Sequence, residues 1–254
     1  MKLICVDTDR EALVAGSVDE ASLFAAIRFT NIAREAIAHH GYFSVALSGG
    51  KTPLRVYELL SQPFLASRLD WSKVRLFWSD ERAVPPESPD SNFHMAMQYF
   101  TKPPLDKAVP FRMPAESADL DKAAYFYEKL IQDNCCEGRL DLLLLGVGTD
   151  GHTASLFPNT AALAKSEKLV VPCIDYEHNI RRLTLALPCI YDTRYTLALV
   201  FGKEKAKILN EVFYGRLDPK QCPAKYIGRG RRSALFIITS DTTTLFPPSL
   251  ARLK

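Results

Sequence analysis

Three short loops hold most of the side chains in this chain that could do chemistry, and each follows a run of strand character. The most distinctive reads Gly146-Val147-Gly148-Thr149-Asp150-Gly151-His152. An imidazole titrates near neutral pH, so a histidine presented on a glycine-rich turn can take a proton from water as a general base. Asp150 is near enough in the chain to orient such a ring. A histidine with a packing role is the competing reading, and the residues alone leave both open. His39, His40, His94 and His178 fall in polar or helical contexts without such a setting.

The same loop also spells Gly-x-Gly-x-x-Gly, the pattern of a dinucleotide site. Asp150 would set negative charge against a pyrophosphate, and Pro158 breaks the chain too soon for the long helix such a site needs. Dinucleotide binding is not expected. The second loop, Ser48-Gly49-Gly50-Lys51-Thr52-Pro53, offers backbone N–H groups beside two glycines, with hydroxyls at Ser48 and Thr52. Proline suits a first helical position, so a helix should start here and an anion such as a phosphate could approach the main chain. An ordinary strand-to-helix turn is the plainer alternative. Walker A spacing is absent, which removes nucleoside triphosphate hydrolysis from consideration.

In the third loop, Trp78-Ser79-Asp80-Glu81-Arg82, three consecutive charges mark either a solvated turn or a binding site. Arg82 keeps its charge at any working pH and could grip a phosphate or polarise a carbonyl. Asp90 or Ser91, just downstream, reads as the N-cap of a helix. The sequence contains no Gly-x-Ser-x-Gly elbow and no His and Cys spacing of a zinc site, so neither a serine esterase nor a metal centre is expected.

Positioning three loops at strand ends calls for an α/β fold. Apolar, β-branched runs at 3–6, 44–47, 74–78, 140–145, 183–187, 195–201 and 234–239 read as strands. Amphipathic stretches at 18–40, 90–100, 117–135 and 203–214 read as helices. That alternation predicts a mainly parallel sheet with helices on both faces, Rossmann-like, with ligands outside the carboxyl ends of the strands. No repeat, low-complexity tract or long linker divides the chain, so one domain over residues 1–254 is expected.

Composition narrows the classes further. The chain has 254 residues, 47% of them hydrophobic and 24% charged, ordinary values for a globular protein with its own core. A net charge of +3 does not point to a nucleic-acid partner, and the basic cluster at 228–232 reads as a solvated turn. Cys5, Cys135, Cys136, Cys173, Cys189 and Cys222 form no CxxC pair and suggest free thiols in a reducing compartment. Early acids at Asp7 and Asp9 exclude a signal peptide, and no apolar run reaches a membrane span. A cytoplasmic protein without a membrane partner is expected, and a monomer is favoured.

Taken together, Ser48-Gly-Gly-Lys-Thr-Pro53, Trp78-Ser-Asp-Glu-Arg82, Asp90-Ser-Asn92, Asp150-Gly-His-Thr-Ala-Ser-Leu-Phe-Pro158 and Arg182-Leu-Thr-Leu185 resemble the glucosamine-6-phosphate isomerase/6-phosphogluconolactonase family. They follow that family's order across most of the chain, and the forms after Asp80 and His152 look like its lactonase branch. The resemblance implies hydrolysis of 6-phospho-D-glucono-1,5-lactone to 6-phosphogluconate, in the oxidative pentose phosphate pathway, without metal or cofactor. His152 becomes the catalytic base, with Asp150 and Arg82 beside it in the reaction. Gly49, Gly50, Lys51 and Thr52 become substrate or phosphate contacts, and Arg182 and Lys205 phosphate contacts. Two stretches depart from the pattern: Glu177-His178-Asn179, where the family often has Lys-Pro-Pro, and Thr239-Ser240-Asp241 at the last strand's end. Two other functions compete: an isomerase or deaminase using His152 and Asp80 on an open-chain sugar, and a catalytically silent sugar-phosphate-binding regulator.

Overall fold

Helix α1 shows how local signals set an element. The Ser17 side chain accepts a hydrogen bond from the Glu20 N–H at 3.2 Å, and Asp19 and Glu20 put acids in the first turn, where the helix dipole favours negative charge. Gly41, at a φ of +92°, closes the far end in the left-handed region that favours glycine. Between them α1 spans Val18–His40, as its sequence predicts, and buries Ala21, Ala25, Phe29, Ile32 and Ala36. A computed structural model describes residues 1–164, 167–176, 179–230 and 233–247. Glu177 and His178, and Arg231 and Arg232 of the basic cluster, lie outside the described residues.

The strands, in chain order, begin with β1 Lys2–Cys5, β2 Arg10–Ala15, β3 Phe43–Leu47, β4 Val74–Trp78 and β5 Asp80–Arg82. Then come β6 Val109–Pro110, β7 Leu142–Gly146, β8 Val170–Asp175, β9 Ile180–Leu185, β10 Tyr195–Val200 and β11 Ala234–Thr239. The helices after α1 are α2 Leu54–Leu60, α3 Pro63–Ala66, α4 Asn92–Phe100, α5 Leu120–Asn134, α6 Leu187–Asp192 and α7 Ala206–Tyr214. The main sheet is ordered β1-β2-β11-β10-β7-β3-β4-β6, and every pairing in it is parallel except β1 with β2.

Successive side chains of a strand point to opposite faces, and a sheet covered on both sides therefore reads as a continuous apolar run. In β3, β7 and β10, Val45, Leu142, Leu144 and Leu197 join the α1 side of the core. Ala46, Leu143, Leu145 and Ala198 join the other side, with Tyr127 and Ile131 of α5 and Leu209 and Val212 of α7. Helices therefore cover both faces, and the carboxyl ends of β3, β4, β7 and β10 share one edge of the sheet. Among the described residues, no helix is long and apolar enough to cross a membrane.

One expected strand goes elsewhere. Of the run at 183–187, residues 183–185 end β9, which pairs antiparallel with β5 and β8 in a separate three-stranded sheet, while Leu187 already begins α6. An apolar run states that a strand is buried but not which neighbour it takes. The charged segment Asp80–Arg82 is likewise a strand rather than a solvated turn, because its acids find partners inside the protein.

Candidate active site

A cavity of about 600 Å³ opens where these strand ends meet the small sheet. All the sequence-derived candidates line it: Ser48 to Thr52, Arg82, Asp150, His152, Arg182 and Lys205. Its walls come from separate elements, and each has a local reason for its position.

After β3 the backbone of Ser48 is pinned by Tyr57 of α2. The Ser48 N–H donates to the Tyr57 Oη at 3.1 Å, and the Tyr57 O–H donates to the Ser48 carbonyl at 2.8 Å. Gly50 adopts a φ of +79°. Helix α2 has only 7 residues, so its dipole adds little and an anion here would depend on backbone N–H groups, Thr52 and Lys51. Gly49 packs on Asn92: a Cβ at Gly49 would stand 2.1 Å from the Asn92 Oδ1.

The three charges after Trp78 take separate jobs. Glu81 turns inward and caps α4, accepting from the N–H groups of Asn92 and Phe93 and from the Ser91 hydroxyl, with the Arg82 N–H as a further donor. Burial pushes the Glu81 carboxyl above its ordinary range, although these donors pull it down. Ser91 is the N-cap itself, accepting from the His94 N–H at 3.1 Å. Asp80 faces the cavity and accepts from the Ser155 hydroxyl at 2.6 Å. Arg82 donates to the Asp90 carbonyl at 2.6 Å on the cavity rim. Asn92 ties these pieces together, its Nδ2 donating to the Asp80 carbonyl at 2.9 Å.

The loop after β7 presents the histidine. Its turn is closed by the Gly148 N–H donating to the His152 carbonyl at 2.8 Å, and Gly151 sits at a φ of +91°. The His152 Nδ1 lies 2.6 Å from the Asp150 Oδ1, and the same oxygen accepts the His152 backbone N–H at 3.0 Å. Burial alone would raise the Asp150 carboxyl, but the hydrogen bonds and charge of His152 hold it below its ordinary value. With Nδ1 facing a carboxylate, the neutral ring carries its proton there and leaves the Nε2 lone pair for a substrate or water. The Phe157 ring packs against His152 at 4.8 Å between centroids.

Phe157 also lies under Arg182, whose Cζ is 5.5 Å from the ring centroid. Arg182 Nη2 donates to the Asp175 Oδ2 at 2.6 Å, and Nη1 stands 3.8 Å from the Asp80 Oδ2. Lys205 donates to the Val147 carbonyl at 2.8 Å; burial lowers its ammonium pKa, against the pull of Glu204 and Asp150. Sequence reasoning missed Asp175 as part of this wall. The signal was there, an acid closing the run Val170 to Ile174, but Pro172 interrupts that run and the sequence does not show which strand it pairs with.

The fold and cavity define an α/β protein with a polar ligand site at the carboxyl edge of its sheet. The family model described as glucosamine-6-phosphate isomerases/6-phosphogluconolactonase matches residues 17–236. The chain is 38% identical over 218 residues to a 6-phosphogluconolactonase of Chlamydia pneumoniae, covering 83% of this chain and 80% of that protein. It is also 38% identical to a 6-phosphogluconolactonase of Synechocystis sp., over 76% of this chain and 80% of that one. Its fold matches the structure of 6-phosphogluconolactonase from Trypanosoma brucei with a TM-score of 0.80 and 25% identity, over 91% of this chain and 96% of the other. A monomeric glucosamine-6-phosphate deaminase shares the fold at a TM-score of 0.75 and 21% identity, over 92% of this chain and 99% of the other. The chain belongs to the glucosamine-6-phosphate isomerase/6-phosphogluconolactonase family.

Proposed function

We propose that this chain hydrolyses 6-phospho-D-glucono-1,5-lactone to 6-phosphogluconate, in the oxidative pentose phosphate pathway, with His152 as the base that activates water. The observation that carries the reading is the Asp150–His152 pair on the wall of a polar cavity, in a chain whose relatives are lactonases of this kind. A lactone is an activated ester, so the reaction needs a placed water, a base and donors for the developing oxyanion. His152 Nε2 removes the water proton as the oxygen adds to the lactone carbonyl. Arg82 stabilises negative charge on the former carbonyl oxygen. The tetrahedral intermediate then collapses, the bond to the ring oxygen breaks, and the imidazolium returns its proton to the departing alkoxide. Asp150 holds the tautomer and stabilises the imidazolium.

The phosphate binds remotely, against the Gly49 to Thr52 backbone, Lys51, Arg182 and Lys205, and its binding energy places the ring. A single-domain monomer belongs to the same proposal, and six free thiols support a reducing, cytoplasmic setting. The test is the initial rate on freshly made 6-phosphogluconolactone, corrected for spontaneous ring opening, with ammonia release from glucosamine 6-phosphate as the counter-assay. Lactone turnover without ammonia release is expected. Ammonia release without lactone turnover would replace this reading with a deaminase that uses Asp80 and His152.

A further inference from the structure

We infer that Asp175 is a positioning residue that aims Arg182 into the cavity and moderates how tightly the site holds a phosphate. This rests on the reading of the cavity as a phosphosugar site. In the β8–β9 pair Cys173 is the partner of Arg182, so Asp175, two residues further along β8, lies diagonally from Arg182 on the same face. Asp175 is 2% exposed and holds Arg182 Nη2 at 2.6 Å. Arg182 is itself 9% exposed, lies over Phe157, and reaches a second acid, Asp80, at 3.8 Å. Among the described residues its Nε is buried without a hydrogen-bond partner.

A guanidinium confined in this way has one edge committed and a donor left over. It also stands between two carboxylates, so a phosphate placed there meets a cation whose charge is already shared with two acids. Asp80 is fixed by the Ser155 hydroxyl and by its place in β5, and it faces Arg182 at the longer distance. Asp175 therefore sets both the direction and the strength of the arginine. A product that keeps its phosphate and gains a carboxylate must leave at every turnover, and a moderated clamp lets it go.

Two substitutions separate aim from charge. Asp175→Asn keeps an acceptor oxygen in place and removes the charge, whereas Asp175→Ala removes both. Calorimetric titration with 6-phosphogluconate, and with gluconate as the control lacking phosphate, reads the outcome without requiring turnover. The Asn variant is expected to bind 6-phosphogluconate roughly three- to tenfold tighter than the unmodified protein, with gluconate binding unchanged. The Ala variant, with Arg182 released, is expected to bind 6-phosphogluconate more weakly than the Asn variant. Equal weakening in both variants, an equal shift for gluconate, or no change in the Asn variant would overturn the inference. If the unmodified protein binds 6-phosphogluconate but fails to open the lactone, the proposed reaction falls while the Asp175 comparison stands. If the unmodified protein does not bind 6-phosphogluconate, both fall.

Discussion

A Cβ on Gly148 would lie 2.2 Å from the His152 Nδ1 and 2.5 Å from the Asp150 Oδ1, so this glycine makes room for the pair. Its φ lies outside the left-handed region, and alanine there strains no backbone. Gly148→Ala should therefore displace the ring without unfolding the chain, lowering kcat by roughly a hundredfold, the cost of a misplacement near 1 Å, with little change in Tm. An unaltered kcat would show that the ring need not sit against Asp150. The same pair has a pH signature. The Asp150 carboxyl is held below its ordinary value in the fold, so it contributes stability above the unfolded-state value of about 3.9 and loses it as pH falls through the folded value. Thermal melts of the protein and of Asp150→Asn should differ at pH 5 and converge toward pH 3; a gap that widened in acid would contradict this. His152 and Asp150 were legible in the sequence because the whole device lies within seven residues. Asp175 was not, because its partner Arg182 is reached across a strand pair whose connection runs through 177–178.

Elements with their own start and stop signals were also legible. Ser17 and Gly41 bound α1, and the largely apolar runs of β4 and β11 gave their limits. What failed was pairing: the small sheet of β5, β9 and β8 depends on tertiary partners, and Glu81 reads as a solvated charge until α4 supplies the N–H groups it caps. The junction between the loop after β3 and the start of α4 yields a two-residue test. Gly49→Ala should clash with the Asn92 side chain and lower kcat/KM by more than tenfold, since the cavity wall must shift. Adding Asn92→Ala removes the obstructing amide, so the double variant should recover part of the loss, a coupling expected only of residues in contact. Additive losses in the double-variant cycle would show that Asn92 does not set the position of that loop.

At the scale of the molecule, the parallel order β10-β7-β3-β4 brings loops far apart in sequence to one sheet edge, and the small sheet adds Arg182 from the side. The alternation of strands and helices predicted that edge, but not the wall that β8 and β9 build beside it. If the wall and the loop after β3 together grip the phosphate, the grip should be separable from the chemistry. Charge-assisted hydrogen bonds contribute about 1.5–3 kcal/mol each, so Arg182→Ala should lower kcat/KM on the phosphorylated lactone by roughly ten- to hundredfold. Unphosphorylated gluconolactone should scarcely respond. Equal losses on both substrates would assign Arg182 to the fold or the reaction rather than to phosphate.

The central claim is that His152 supplies the base for lactone opening, and its most direct test is kcat for His152→Ala on freshly prepared 6-phosphogluconolactone, with spontaneous hydrolysis subtracted and folding checked by circular dichroism. The predicted result is a folded protein whose kcat falls by roughly two to four powers of ten, the range for losing a general base. A folded variant with nearly unchanged kcat would contradict it.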